Sequence, residues 1–356
     1  MRILIANPFG IGDVLFSLPM VRSLRQALPD AHLGYLCNRR TTDLVSSWPE
    51  LNWSVVFEKD EFRKNWKRSR MEGIRWLRDL IGQVRQQRFD LLLDLSLGWH
   101  LSFAALLAGI PKRIGFDFRR RGRFLTHRLP ISGFHTQPVS GYYLELLRPL
   151  GIAPQKPQIY LMDLPKGARE RAETYLRERG IDPNKPLVGM VPGGGASWGP
   201  NASYKHWPAE RFAQVADSIA DKHQAEILLI GDSSETTLCQ EVAKAMRRQP
   251  KTALQAPSLI LLAPLLERCR LVVGNDGGTL HLASVVGTPT VSIFGPVDGS
   301  VYGPYPIGKN NRVVSKGLAC RPCYQEFRFP PCPWNNACLK QLEVAPVLEA
   351  VHELLG

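Results

Sequence analysis

Short apolar runs alternate with amphipathic stretches along the whole chain. Arg2-Ile3-Leu4-Ile5-Ala6, Leu33-Gly34-Tyr35-Leu36, Asp90-Leu91-Leu92-Leu93-Asp94-Leu95 and Leu187-Val188-Gly189-Met190-Val191 are four of them. Ile227-Leu228-Leu229-Ile230, Leu271-Val272-Val273 and Thr290-Val291-Ser292-Ile293-Phe294 continue the series. Continuous runs of this length read as strands buried on both faces of a parallel sheet. Lys112-Arg113-Ile114-Gly115-Phe116 adds a shorter strand. Between the runs, Val14, Leu15, Leu18, Val21, Leu24 and Leu28 recur at helical spacing and predict one helix over 14–28. A second long helix is predicted over 59–88, carrying Trp66, Ile74, Trp76, Leu77, Leu80, Ile81 and Val84. Shorter helices are predicted over 142–150, 168–179, 209–222, 258–267, 279–286 and 342–355. Strand and helix in alternation define an α/β protein with parallel sheets.

The alternation occurs twice. The proline-spaced segment 154–165 lies between the two series and reads as a linker, so a first domain is expected over 1–165 and a second over 166–340. A terminal helix occupies 341–356. At 356 residues the chain has room for two α/β domains of ordinary size.

Glycine loops follow the first strand of each series. Asn7-Pro8-Phe9-Gly10-Ile11-Gly12-Asp13 is Rossmann-like, but it lacks the third glycine of a dinucleotide fingerprint. No acidic residue ends the next strand, so the NAD reading is weak. Asp13 falls in the first turn of a helix, where the helix dipole favours a carboxylate; for an aspartate considered alone a simple helix cap is the commoner explanation. The richer stretch is 271–298, LVVGNDGGTLHLASVVGTPTVSIFGPVD. It reads as strand, glycine loop, short helix, strand. Glycines there let backbone approach a ligand, and a helix N-terminus offers free N–H groups to an anion. Asp276 and His281 stand beside that loop.

Composition adds limits. With 44% hydrophobic and 22% charged residues the chain is globular. The most apolar run, Leu259 to Leu266, contains Pro264 and is far shorter than the roughly 18 residues of a membrane span. Asn7, Pro8, Gly10 and Asp13 interrupt any signal-peptide core, so a cytoplasmic location is expected. The net charge of +13 is uneven: residues 1–165 hold 24 Lys+Arg against 14 Asp+Glu, and residues 166–356 hold 21 against 18. The first half is therefore expected to meet an anionic partner or surface. Nucleic acid is disfavoured, because no nucleic-acid-binding module accompanies the charge.

The longer pattern carries a resemblance. N-D-G-G-T-L-H-L-A followed by G-T-P-T-V-S-I-F-G-P is similar to the C-terminal signature of glycosyltransferase family 9, the lipopolysaccharide heptosyltransferases. G-D-V-L-F-S-L-P-M-V-R-S-L-R-Q-A-L-P resembles the same family's N-terminal signature, and K-H-W-P-A-E-R-F its K-x-W-P segment. The resemblance implies a GT-B fold, two facing Rossmann-like domains whose terminal helix returns toward the first. It implies Asp13 as catalytic base beside Gly12, and Lys205 as a cation on the sugar donor's diphosphate. It places Gly193, Gly231, Glu235, Asp276, Gly277, Gly278 and His281 around that donor, with Glu235 on the ribose. The family usually has Ser or Thr where this chain has Gly277.

The activity implied is inverting transfer of a heptose or related sugar from a nucleotide-diphosphate sugar, ADP-heptose first, onto a lipopolysaccharide core or similar acceptor. No D-x-D-like carboxylate cluster lies on a loop, so no catalytic metal or cofactor is expected. Arg119, Arg120 and Arg121 are expected on the acceptor side, facing an anionic glycolipid at the inner face of the membrane. Another GT-B enzyme, such as a sugar-nucleotide epimerase or a transferase using a different nucleotide sugar, is the competing reading. Cys320, Cys323, Cys332 and Cys338 share one proline-rich segment. In a cytoplasmic protein they read as a structural zinc site before disulfides, although C-x2-C-x8-C-x5-C is tighter than ordinary zinc ribbons and leaves a metal-free structural segment open.

Overall fold

A computed structural model describes residues 1–154, 161–254 and 258–356; for 59, 60, 63, 196–198, 200, 253 and 254 it describes the backbone alone. Residues 155–160 of the expected linker thus lie outside the described residues. The chain forms two compact units, Met1–Phe134 with Val139–Gln158, and His135–Pro138 with Ile159–Gly356.

The first unit holds a six-stranded sheet: β1 (Arg2–Ala6), β2 (His32–Cys37), β3 (Trp53–Val56), β4 (Leu91–Asp94), β5 (Lys112–Phe118) and β6 (His127–Ile131). Their spatial order is β3-β2-β1-β4-β5-β6, and every pair is parallel. The second unit holds β7 (Leu187–Val191), β8 (Glu226–Gly231), β9 (Lys251–Leu254), β10 (Leu271–Asn275), β11 (Thr290–Ile293) and β12 (Asn311–Val314). These too are all parallel, in the order β12-β11-β10-β7-β8-β9. Read from β9, that order repeats the first sheet's. Each unit is a doubly wound Rossmann-like sheet, and two such units in one chain make the GT-B class of fold. The winding reverses between β1 and β4 and between β7 and β10, so ligand sites are favoured just beyond the carboxyl ends of those strands.

The central strands are buried along their length, as the apolar runs require. Two predicted helices are each broken in two. Ile11–Phe16 and Leu18–Ala27 meet at Ser17, next to Pro19, a residue that sits easily only in a helix's first turn. Lys59–Arg68 and Arg70–Gln86 meet at Ser69, whose backbone is extended (φ −156°, ψ 128°). β3, β6, β9 and β12 are found in addition to the predicted strands, and helices Thr42–Ser46, Trp99–Leu107, Thr236–Ala245, Gly299–Tyr302 and Ala337–Lys340 in addition to the predicted helices. The apolar face that Val344–Leu355 buries, Val347, Ala350 and Val351, lies in the second unit's core with Val188, Val273 and Val291. Among the described residues no helix is long and apolar enough to cross a membrane.

Candidate active site

The second unit gathers most of the expected residues at the carboxyl ends of β7, β8 and β10. Asp276 follows β10 directly, and its backbone N–H donates to the Ile293 carbonyl (3.0 Å). Lys205 Nζ lies 2.7 Å from Asp276 Oδ2, and both side chains are only 8% exposed. A buried pair of this kind holds a cation in one place where a solvated lysine would wander. His281, in the helix Gly278–Val285, is buried beside the pair. Burial drives its ring down to about 4; Lys205 pushes the same way and Asp276 opposes both. At neutral pH the imidazole is uncharged, a hydrogen-bonding group rather than a second cation.

Gly277 caps that helix with extended backbone (φ −174°) and no side-chain cap, which leaves the first N–H groups of the helix pointing outward. A Cβ on Gly277 would stand 2.9 Å from the Gly194 carbonyl oxygen. The loop after β7 therefore needs glycine here. The same loop explains Gly193, where a Cβ would fall 1.8 Å from Glu235 Oε1. Glu235 does not project freely: its Oε1 accepts from the Gly195 N–H (2.8 Å) and its Oε2 from the Asp232 N–H (3.1 Å). Asp232 in turn caps the short turn Ser233–Glu235. Burial raises the Glu235 carboxyl, while these backbone N–H groups pull it back. Gly231 lies beneath, at the end of β8, close against Cys239 and Glu235.

Asn275 is a member of this site that the sequence reading passed over. Fully buried, it accepts from the Trp207 N–H (3.2 Å) and donates to the Pro192 carbonyl, so one side chain ties together the three loops that carry Gly193, Lys205 and Asp276. Trp207 is itself buried, with Nε1 donating to the Leu342 carbonyl (2.9 Å). The tryptophan of K-H-W-P fixes the position of the lysine two residues before it. A signal was present: an asparagine at the end of a buried strand must find partners for its amide.

In the first unit Gly12 and Asp13 sit in helix Ile11–Phe16, just beyond β1. Asn7, fully buried, donates to the Asp13 carbonyl (3.0 Å), and Asn38 donates to the carbonyls of Pro8 (3.5 Å) and Phe9. Two buried amides thus set the loop that aims Asp13. Asp94 ends β4, in register with Ala6. Burial lifts its carboxyl to about 6, against hydrogen bonds from Ser96 and Ser102. Arg119, Arg120 and Arg121 form an exposed turn after β5. Arg119 and Arg120 are both left-handed (φ 52° and 58°), and the Gly122 N–H donates to Asp117 Oδ1 (2.8 Å) to close the turn. The Arg119 and Arg121 guanidinium groups lie 5.0 and 5.6 Å from the Phe118 ring.

The four cysteines of the expected zinc segment lie in the second unit. All four thiols are free; Cys320 is at the surface, while Cys338 is buried beside Leu339 in the core of the second unit. Among the described residues no group of three or more His, Cys, Asp or Glu is placed to hold a metal ion. Burial pushes the Cys323 thiol up to about 11, and Cys320, Cys338 and Cys332 act in the same direction.

Two doubly wound Rossmann-like units in one chain place the protein in the GT-B fold class. The profile of glycosyltransferase family 9 (heptosyltransferase) matches residues 77–330, and the chain belongs to that family. It is a glycosyltransferase. Lipopolysaccharide heptosyltransferase 3 of Escherichia coli is 26% identical over 355 residues, 97% of this chain and 96% of that one. Lipooligosaccharide heptosyltransferase 2 of Campylobacter jejuni is 26% identical over 360 residues, 100% and 98% of the two chains. Among solved structures, a family 9 glycosyltransferase from Veillonella parvula superposes with a TM-score of 0.82 at 22% identity, covering 99% of this chain and 97% of its own. The E. coli ADP-heptose lps heptosyltransferase II superposes with a TM-score of 0.77 at 21% identity, covering 100% and 98%. Those two likenesses concern the fold.

Proposed function

We propose that this protein transfers a heptose, or a closely related sugar, from a nucleotide-diphosphate donor to the core of a membrane-anchored surface glycan, with ADP-heptose the first donor to test. The proposal extends to the mechanism, a metal-independent displacement that inverts the anomeric centre. Asp13 takes the proton of the acceptor hydroxyl, and the oxygen forms its bond to the anomeric carbon as the bond to the diphosphate breaks. The electron pair leaves with the diphosphate. Lys205 supplies positive charge to it, and the first N–H groups of helix Gly278–Val285 supply fixed dipoles. His281, neutral, adds a hydrogen bond. Glu235, Gly193 and Gly231 shape the nucleotide's seat, and Asp276 keeps Lys205 aimed. The acceptor meets the first unit, with Arg119, Arg120 and Arg121 toward its anionic groups, at the inner face of the membrane.

The observation that carries this reading is the buried Lys205–Asp276 pair at the N-terminus of a helix beyond β10, where a doubly wound sheet receives a phosphate ligand. The test is transfer from a panel of nucleotide heptoses and hexoses to a lipopolysaccharide-core acceptor, in buffer containing EDTA, with the product's anomeric configuration read by NMR. Activity with ADP-heptose and an inverted product is the expected result. Activity that EDTA abolishes and magnesium restores would overturn the metal-independent mechanism.

A further inference from the structure

The two basic helices of the first unit are tied to its core by a ladder of aromatic rings that ends in solvent. Phe57 is buried; Trp76 stands 5.6 Å from it between ring centroids, Phe62 5.5 Å from Trp76, and Trp66 5.7 Å from Phe62. Trp66 closes over Gly73, whose Cβ, were there one, would meet its ring at 2.6 Å. Beyond this contact the apolar surface continues outward. Trp66 is 44% exposed, Met71 74% and Ile74 56%. Met71 and Ile74 lie three residues apart on Arg70–Gln86 and so share a face, and Arg70, Arg75 and Arg78 fall within the same arc at 100° per residue. All three arginines are exposed, as are Lys64 and Lys67 on the preceding helix.

A helix pair meant only for water has no need of three large apolar side chains at its exposed end. A pair meant for another protein's apolar surface would have few reasons to ring them with cations. Over residues 59–88 the chain carries ten Lys/Arg against four Asp/Glu. Exposed Trp, Met and Ile set among cationic side chains match a helix that lies in the headgroup region of an anionic bilayer, with its apolar side chains in the acyl boundary.

We propose that the hairpin Lys59–Arg68/Arg70–Gln86 is the membrane-docking element of this protein, inserting Trp66, Met71 and Ile74 into an anionic leaflet while its lysines and arginines meet lipid phosphates. The assignment rests on the reading above that the acceptor is anchored in a membrane. It adds which element does the docking, and that apolar insertion accompanies charge. Insertion makes part of the binding resistant to salt, which charge alone does not.

The test uses sedimentation with vesicles of phosphatidylglycerol and phosphatidylethanolamine, and with phosphatidylcholine vesicles as the uncharged comparison. The parent is expected to bind the anionic vesicles and to keep part of that binding at high salt. Trp66→Ser/Met71→Ser/Ile74→Ser is expected to lower the partition coefficient about tenfold or more. Trp66 packs on Phe62 and Gly73, so the triple variant should lose some thermal stability. Met71→Ser/Ile74→Ser should unfold as the parent does while binding anionic vesicles more weakly, and both variants should keep transfer to a deacylated, soluble acceptor. Brominated lipid should quench the parent's tryptophan fluorescence more than that of Trp66→Phe. A triple variant that binds like the parent, or equal quenching in Trp66→Phe, overturns the docking assignment. Should the parent bind vesicles and the variant lose them while no acceptor is glycosylated, the hairpin assignment stands and the proposed reaction falls.

Discussion

The sequence resemblance sets a Ser or Thr against Gly277, and the local geometry favours the glycine. The Gly194 carbonyl comes so close that a Cβ on Gly277 would lie 2.9 Å from it. Gly277→Ser, which brings the hydroxyl back, should therefore weaken nucleotide binding. It should also destabilise the second unit by about 1–3 kcal/mol, the usual cost of overpacking; urea unfolding and calorimetry with ADP check both. Tighter ADP binding by the serine variant would contradict the close packing. His281 makes a prediction about pH. An unfolded histidine titrates near 6.5 and the folded ring at about 4. Between those values the unfolded chain takes up a proton that the folded chain refuses, so His281 costs stability progressively as pH falls from about 6.5 to about 4. The full effect is on the order of 3 kcal/mol. Asp94 acts oppositely: its folded carboxyl, at about 6, holds a proton that the unfolded one releases, and it gains stability as pH falls through the same range. Measuring parent and His281→Gln side by side isolates the histidine. The difference in their unfolding free energies should change across pH 4–6.5, and a constant difference would contradict a buried neutral ring.

At the scale of elements, the apolar runs predicted the central strands because those are buried on both faces and carry an unbroken signal. Edge strands β3, β6, β9 and β12 have partners on one side only, and β3, β6 and β12 are only partly buried, so they lack the continuous apolar run of the central strands. Helix breaks at Ser17 and Ser69 were equally hard to read, since hydrophobic spacing continues across both. The candidate site was legible wherever a glycine loop followed a strong strand. What stayed hidden was the support: Asn7 braces its own loop, and Asn38 and Asn275 act through buried amides that join residues far apart in sequence. Spacing along the chain likewise does not say that Cys338 turns inward while Cys320 stays outside. One element-scale prediction follows from the packing near the terminal helix. Leu339 is fully buried in the second unit's core, against Gly295 at the end of β11. Leu339→Ala should lower the stability of that unit by about 2–5 kcal/mol, measured by urea unfolding. A loss under about 1 kcal/mol would show that the segment before the terminal helix packs loosely.

For the molecule as a whole, charge and chemistry divide between the two halves of the sequence. The groups proposed to bind the diphosphate lie in the nearly balanced half, and the carboxylate proposed as base lies in the basic one. Arg119→Glu/Arg120→Glu/Arg121→Glu should raise the acceptor KM and leave ADP affinity unchanged. Equal acceptor kinetics in that variant would remove the turn from the acceptor side. The account depends most on Asp13, whose loop two buried asparagines hold in place. The decisive measurement is turnover of Asp13→Asn with ADP-heptose and a core acceptor, paired with calorimetric binding of ADP. The account predicts a fall in kcat of roughly 10²–10⁴-fold with ADP binding unchanged. An Asp13→Asn variant that folds, binds ADP and turns over at the parent's rate would contradict it.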